Sequence, residues 1–137
     1  MSGTDWRALL DPDRRGLQLG PPASVGDLST LEARIGQSIP TDLRDLLAVA
    51  NGFDDLAGQW RVAWDTDRIV TENDRMWRAA VIESNRLAFG DNGAGDPFCL
   101  VLNGDDAGTV EERSPITLDA ARTWPNLAEF WTDWFSQ

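Results

Sequence analysis

The chain has 137 residues, with 23 acidic side chains against 12 basic ones, a net charge of −11 and no histidine. Nucleic acid and anionic membrane are excluded as partners, because both are gripped by neutralising phosphate; a basic protein is what such a field attracts. Without histidine no Ser-His or Cys-His nucleophile pair and no ordinary zinc site can be assembled.

In chain order, Thr4 to Leu10 predicts a short helix capped by Thr4, with Trp6, Leu9 and Leu10 on one side. Asp11 to Ala23 holds three prolines among charged residues and reads as a connecting loop whose Leu17 and Leu19 dock on the body. Ser24 opens a helix with a capping-box pattern to Asp27, an apolar face of Val25, Leu28, Leu31 and Ile35, and Gly36 as its stop. A second helix follows Pro40, with a stripe of Leu43, Leu46, Leu47 and Ala50, and ends at Asn51-Gly52. The two form a helical hairpin.

Trp60 to Trp64 predicts a strand, with Trp60, Val62 and Trp64 facing one way. Asp65 or Thr66 caps a third helix through Arg78, its inner face made of Ile69, Val70, Asn73, Met76 and Trp77. Val81-Ile82 and Leu87 to Phe89 are short strand candidates. They lead into a glycine-rich turn, Gly90 to Gly95, and then Pro97-Phe98-Cys99-Leu100-Val101-Leu102. Phe98, Leu100 and Leu102 point to one side of a strand, Cys99 and Val101 to the other, and both sets are apolar. This is an interior strand covered on both faces, with Pro97 at its first position. Asn103 to Gly108 forms a hairpin loop into a more polar strand, Thr109 to Arg113. Ile116 to Ala121 reads as a brief strand or turn. From near Pro125 a last helix presents Leu127, Phe130, Trp131, Trp134 and Phe135 to the sheet.

The chain divides into residues 1–23, a short helix and Pro-rich loop packed on the body, and residues 24–137, a single α+β domain. One cysteine forms no internal disulfide, and the first residues predict no secretory signal, so the expected setting is the cytoplasm. Cys99, in an apolar strand, is expected to be buried and inert. The Gly90–Gly95 turn lacks the Lys-Ser/Thr of a phosphate loop, and Asp91 and Asp96 would repel one. The twelfth position counted from Asp91 is Leu102, which cannot complete a calcium loop. No metal, cofactor or catalytic residue is expected.

The order of these pieces resembles the SUKH superfamily, which takes in fungal cell-wall-assembly regulators and many bacterial immunity proteins. The resemblance rests on Leu-Glu-Ala-Arg-Ile-Gly (31–36), Ile-Pro (39–40), Asn-Gly-Phe (51–53), a tryptophan-bearing strand, Phe-Gly-Asp-Asn-Gly-Ala-Gly-Asp-Pro-Phe-Cys-Leu (89–100) and an aromatic C-terminal helix. It covers about residues 24 to 135. It implies a mostly antiparallel central sheet with flanking helices. For bacterial members it implies a non-enzymatic protein that neutralises a cognate toxin domain, often a nuclease; for the fungal ones, a regulatory or scaffold role.

Two groups of residues are candidates for partner binding. Asp91, Asp96, Asp105, Asp106, Glu111 and Glu112 are six carboxylates with no base between Arg86 and Arg113, and they predict an anionic rim on the central hairpin. Trp64, Trp77 and Trp124 stand beside polar or loop residues and are expected as exposed anchors.

Overall fold

The structure is a computed structural model, and it describes residues 3–114, 116–117 and 119–136. Its frame is a seven-stranded antiparallel sheet whose strands lie side by side in chain order. They are β1 (Leu17–Leu19), β2 (Phe53–Asp55), β3 (Trp60–Ala63), β4 (Arg86–Asp91), β5 (Pro97–Val101), β6 (Val110–Arg113) and β7 (Ala120–Trp124). The helical segments are α1 (Trp6–Leu9), α2 (Pro12–Arg15), α3 (Val25–Ile35), α4 (Thr41–Val49), α5 (Thr66–Arg78) and α6 (Leu127–Phe135). No helix among the described residues is long and apolar enough to cross a membrane.

β5 is the interior strand its sequence predicts. All five of its residues are buried, with Pro97 first, and it lies between β4 and β6. Phe98 stands 4.7 Å from Phe130 and 5.3 Å from Trp134, so its side of the sheet lies under α6. On the other side Ala88, Cys99 and Glu111 are in register across three strands. There the connection after α5 closes over the sheet: Ile82 is buried, and the Leu102 N–H donates to the Asn85 carbonyl at 2.8 Å.

α3 carries the full capping box between Ser24 and Asp27, and stops at Gly36 in the left-handed region (φ 73°). Val25 is 79% exposed rather than on the inner face, because the first helical turn overhangs the core that Leu28, Leu31 and Ile35 enter. In α4 the stripe Leu43, Leu46, Leu47 and Ala50 is buried throughout. α3 packs on α5, while α4 reaches α1 and α6.

The N-terminal segment differs from a plain loop. Asp11 caps one helical turn, α2, with Pro12 leading it and left-handed Gly16 ending it, and β1 then pairs with β2. β2 itself is a strand that three residues, Phe53–Asp55, were too few to reveal by alternation. Asp5 rather than Thr4 caps α1, accepting from the Ala8 N–H at 3.2 Å. Trp6, Leu10 and Leu17 are buried in the common core.

β3 and β4 meet at one register pair only, Ala63 with Gly90. The backbones come so close there that a Cβ on Gly90 would sit 2.1 Å from the Val62 carbonyl oxygen. Beyond this point β3 turns away and α5 takes its place along β4. The Asn73 side chain, fully buried, donates to the Ala88 carbonyl at 2.8 Å and accepts from the Ala88 N–H at 2.7 Å. One turn on, the Trp77 indole donates to the Arg86 carbonyl at 2.9 Å. These bonds satisfy ladder groups that a neighbouring strand would otherwise meet. Val81-Ile82 is therefore no strand: the space beside β4 belongs to the helix, and the segment runs as a connection over the sheet face.

Candidate functional site

The hairpin β4–β5–β6 brings the six acidic candidates together in sequence but not in space. The turn at residues 92–96 lies at one end of β5 and the loop at residues 102–109 at the other. Five extended residues at about 3.3 Å each separate the two ends.

At the glycine-turn end, Asp91 accepts from the Gly93 N–H at 2.9 Å and pairs with Arg68 at 3.5 Å. The Arg68 guanidinium is stacked 4.8 Å above the Trp64 ring. These groups edge a cleft of about 260 Å3 that also takes in Glu72, Arg75 and Met76. Asn92 organises the turn: its Oδ1 accepts from the N–H groups of Ala94 and Asp96, at 2.8 and 3.2 Å. Its amide donates to Asp96 at 3.0 Å and to Glu112 at 3.1 Å. The turn N–H groups thus go to Asn92 and Asp91, while Asp96 receives a side-chain amide.

Glu111 and Glu112 are buried, at 8% and 9% exposure, rather than standing on a rim. β6 has neighbours on both edges, and arginines from adjoining segments turn in to meet its acids. Arg86 grips Glu111 through two nitrogens at 3.2 and 3.3 Å, and Arg113 adds a third bond at 2.9 Å. Arg113 also reaches Glu83 at 2.9 Å, tying the connection after α5 to β6. Glu112 takes the Arg122 Nε–H at 3.1 Å from β7. Burial works against the Arg113 charge, but its bonds to Glu83 and Glu111 outweigh that and hold the guanidinium above its ordinary value. Burial raises Glu83 as well, yet the Arg113 hydrogen bond, with the charges of Arg113 and Arg86, brings the carboxyl below its usual range.

Asp105 and Asp106 behave differently. Both are exposed at the tip of the β5–β6 loop, and among the described residues neither forms an ion pair. Backbone bonds close the loop beneath them: the Gly108 N–H donates to the Val101 carbonyl at 2.9 Å and the Thr109 N–H to the Asp106 carbonyl at 3.0 Å. Val110, directly after the loop, is in register with Trp124, so Trp124 lies at the same end of the sheet.

The three tryptophans divide. Trp64 is buried (3% exposed) beneath Arg68 and is no exposed anchor; it lies just past the end of β3, on the side of α5, whereas Trp60 packs on Trp134 of α6. Trp77 is half-buried, held by its bond to Arg86, and borders a cleft of about 350 Å3 with Arg34 and Asp74. Trp124 is half-buried as well, 4.7 Å edge-on to Phe130, with its indole N–H on Asp133 at 3.0 Å.

The model of the SMI1 / KNR4 family (SUKH-1) matches residues 22–137 of this chain. The chain belongs to that family. Its SUKH-1 region covers everything from α3 to α6, hence the whole hairpin and both of its ends. α1, α2 and β1 lie outside the match, yet this segment adds a strand to the SUKH-1 sheet and Trp6, Leu10 and Leu17 to its buried core. No curated protein matches the chain.

Sequence reasoning missed the partners of these acids. Arg68, Arg86, Arg113 and Arg122 lie outside the base-free stretch and reach it only through sheet and helix packing. One signal was available: Glu111 and Arg113 are two apart on a strand and so share a face.

Proposed function

We propose that this SUKH-1 protein is a non-catalytic, cytoplasmic binding protein. In our reading it is an immunity protein that neutralises a toxin domain by covering that domain's basic surface. The observation that carries the reading is the Asp105-Asp106 tip. It keeps its charges in solvent while Asp91, Glu111 and Glu112 are engaged by arginines of the same chain. The net charge of −11 adds a long-range field that steers a cationic partner. Trp124, at the same end of the sheet, supplies an apolar contact. A complex of ordinary size buries about 1,600 Å2, far more than one loop tip, so the tip sets encounter and orientation and neighbouring surface supplies area.

The test has two stages. Co-expression with the protein encoded beside it is expected to rescue cells from that protein's toxicity. Stopped-flow association is then compared for the native chain and the Asp105→Asn/Asp106→Asn variant. Rescue with a slower on-rate at low salt, by about tenfold, and a flatter salt dependence supports the proposal. An unchanged on-rate removes the tip. Absence of any toxic neighbour turns the reading towards an intracellular regulatory or scaffold role.

A further inference from the structure

We propose that β7 is a docking edge, where an extended segment of the basic partner adds as an eighth strand. This rests on the reading above that the partner is basic, and states how such a partner is held.

β7 closes one side of the sheet and, among the described residues, pairs with β6 alone. An antiparallel edge strand leaves alternate N–H and C=O groups pointing outward without partners. Ala120 to Thr123 are exposed and Trp124 is half-buried; α6 reaches the strand through Trp124 on Phe130. Proteins usually blunt such an edge with lysine, proline, a bulge, extreme shortness or a covering segment. The opposite edge follows that rule: β1 has three residues. β7 has five residues, with no lysine and no proline. Its register shift falls at the Arg113–Ala120 end, and Arg122, Thr123 and Trp124 continue in step with Glu112, Glu111 and Val110. Its one cation does not guard the edge either. Arg122 folds back onto Glu112 at 3.1 Å and lies 5.0 Å over the Trp124 ring.

Charge selects the occupant. Exposed Asp119 precedes the strand, Asp133 holds the Trp124 indole, and the Asp105-Asp106 tip lies at the Trp124 end. An incoming strand carrying lysine or arginine meets acids at both ends. A second copy of this chain would instead bring two bodies of charge −11 together over a five-residue edge. Strand addition draws affinity from main-chain bonds and specificity from alternate side chains.

The experiment uses the full 15N-labelled chain, titrated with a short synthetic peptide alternating lysine and valine and with its glutamate-for-lysine counterpart. Expected are shift changes centred on residues 119–124 with the lysine peptide alone, and about tenfold slower exchange of alternate β7 amides. Ala121→Lys, at an exposed position, installs the missing guard and is expected to weaken binding about tenfold. Shifts centred on Asp105-Asp106 without β7 overturn the docking edge and leave the acidic tip standing. Binding at β7 that is unchanged in Asp105→Asn/Asp106→Asn supports the edge and removes the tip. No shift with the lysine peptide, or β7 shifts that grow with protein concentration alone, overturns the proposal.

Discussion

Asn73 offers the sharpest test of how the sheet is held together. Its side chain replaces a strand: it meets both the N–H and the carbonyl of Ala88 and also donates to the Ile69 carbonyl at 2.7 Å. Asn73→Leu keeps nearly the same volume and removes all three bonds. The Ile69 carbonyl belongs to α5, whereas the two Ala88 groups have no ladder partner on that side. Each buried backbone group left unsatisfied costs about 1–3 kcal/mol, so the loss should be about 2–6 kcal/mol. That is a large share of the roughly 5–15 kcal/mol by which domains are stable. With a urea slope of about 2 kcal/mol per molar, the unfolding midpoint followed by circular dichroism should fall by about 1–3 M. Asp74→Ala, one residue on but exposed and paired only with Arg78, should change stability by less than about 0.5 kcal/mol. Hydrogen exchange at Ala88 should quicken in Asn73→Leu more than exchange in β5. A midpoint shift under about 0.3 M with an unchanged slope would refute the idea that this side chain completes the ladder.

Two further outcomes follow from Cys99 and from the carboxylates Glu32 and Glu83. Cys99 is fully buried, and burial pushes its thiol up to about 12, so alkylation at pH 8 should proceed only through global unfolding and track the unfolding rate in urea; rapid labelling of the native chain would contradict the closed face. Glu32 and Glu83 are both held below the ordinary carboxylate value: burial raises each, but Ile39 N–H and Arg44 outweigh it for Glu32, and Arg113 and Arg86 for Glu83. Lowered folded-state values stabilise at pH above the unfolded carboxylate range and are lost as pH falls through the folded ones. Thermal stability should therefore hold from pH 7 to about 5 and decline below about 4.5. Glu83→Gln should be less stable than the native chain at pH 7 and approach it under acid; a deficit that persists at pH 3 would remove the Arg113 pairing as its cause.

Much of this architecture was legible because its signals are local. The Ser24–Asp27 capping box, the stop at Gly36, the inner faces of α4, α5 and α6 and the two-sided apolar run of β5 depend on residues within a turn or two of one another; α4 ends at Val49, with extended Ala50 as its cap, ahead of the expected Asn51-Gly52 stop. What escaped depends on partners far along the chain. β1 and β2 are too short for a period to be read, and they exist through ladders supplied from elsewhere, β1 by β2 and β2 by both β1 and β3. Val81-Ile82 has strand-like composition, but α5 occupies the edge it would have joined. Asn73 was placed correctly on the inner face of its helix, while its reason for being there, the bare edge of β4, could not be seen without the divergence of β3. The resemblance to the SUKH superfamily was visible in the order of the pieces, and the family match agrees with it.

Charge is where linear reading misleads most, and the reason bears on function. A stretch of six acids without a base looked like one anionic surface, yet antiparallel pairing brings arginines from beyond both of its ends into register with it. Eight of the twelve arginines form ion pairs among the described residues. The cations are thus largely paired within the molecule, and among the six hairpin acids the two left exposed are those whose loop no arginine reaches. Asp105 and Asp106 meet that description because the loop bearing them projects past the end of the sheet, beyond the reach of Arg86 and Arg113 on the neighbouring strands. Among these six, position relative to the sheet, rather than local density of acids, decides which carboxylates stay exposed. The same end of the sheet offers the half-buried Trp124 and the open backbone of β7, so field, apolar contact and hydrogen-bonding edge converge on one side of the molecule.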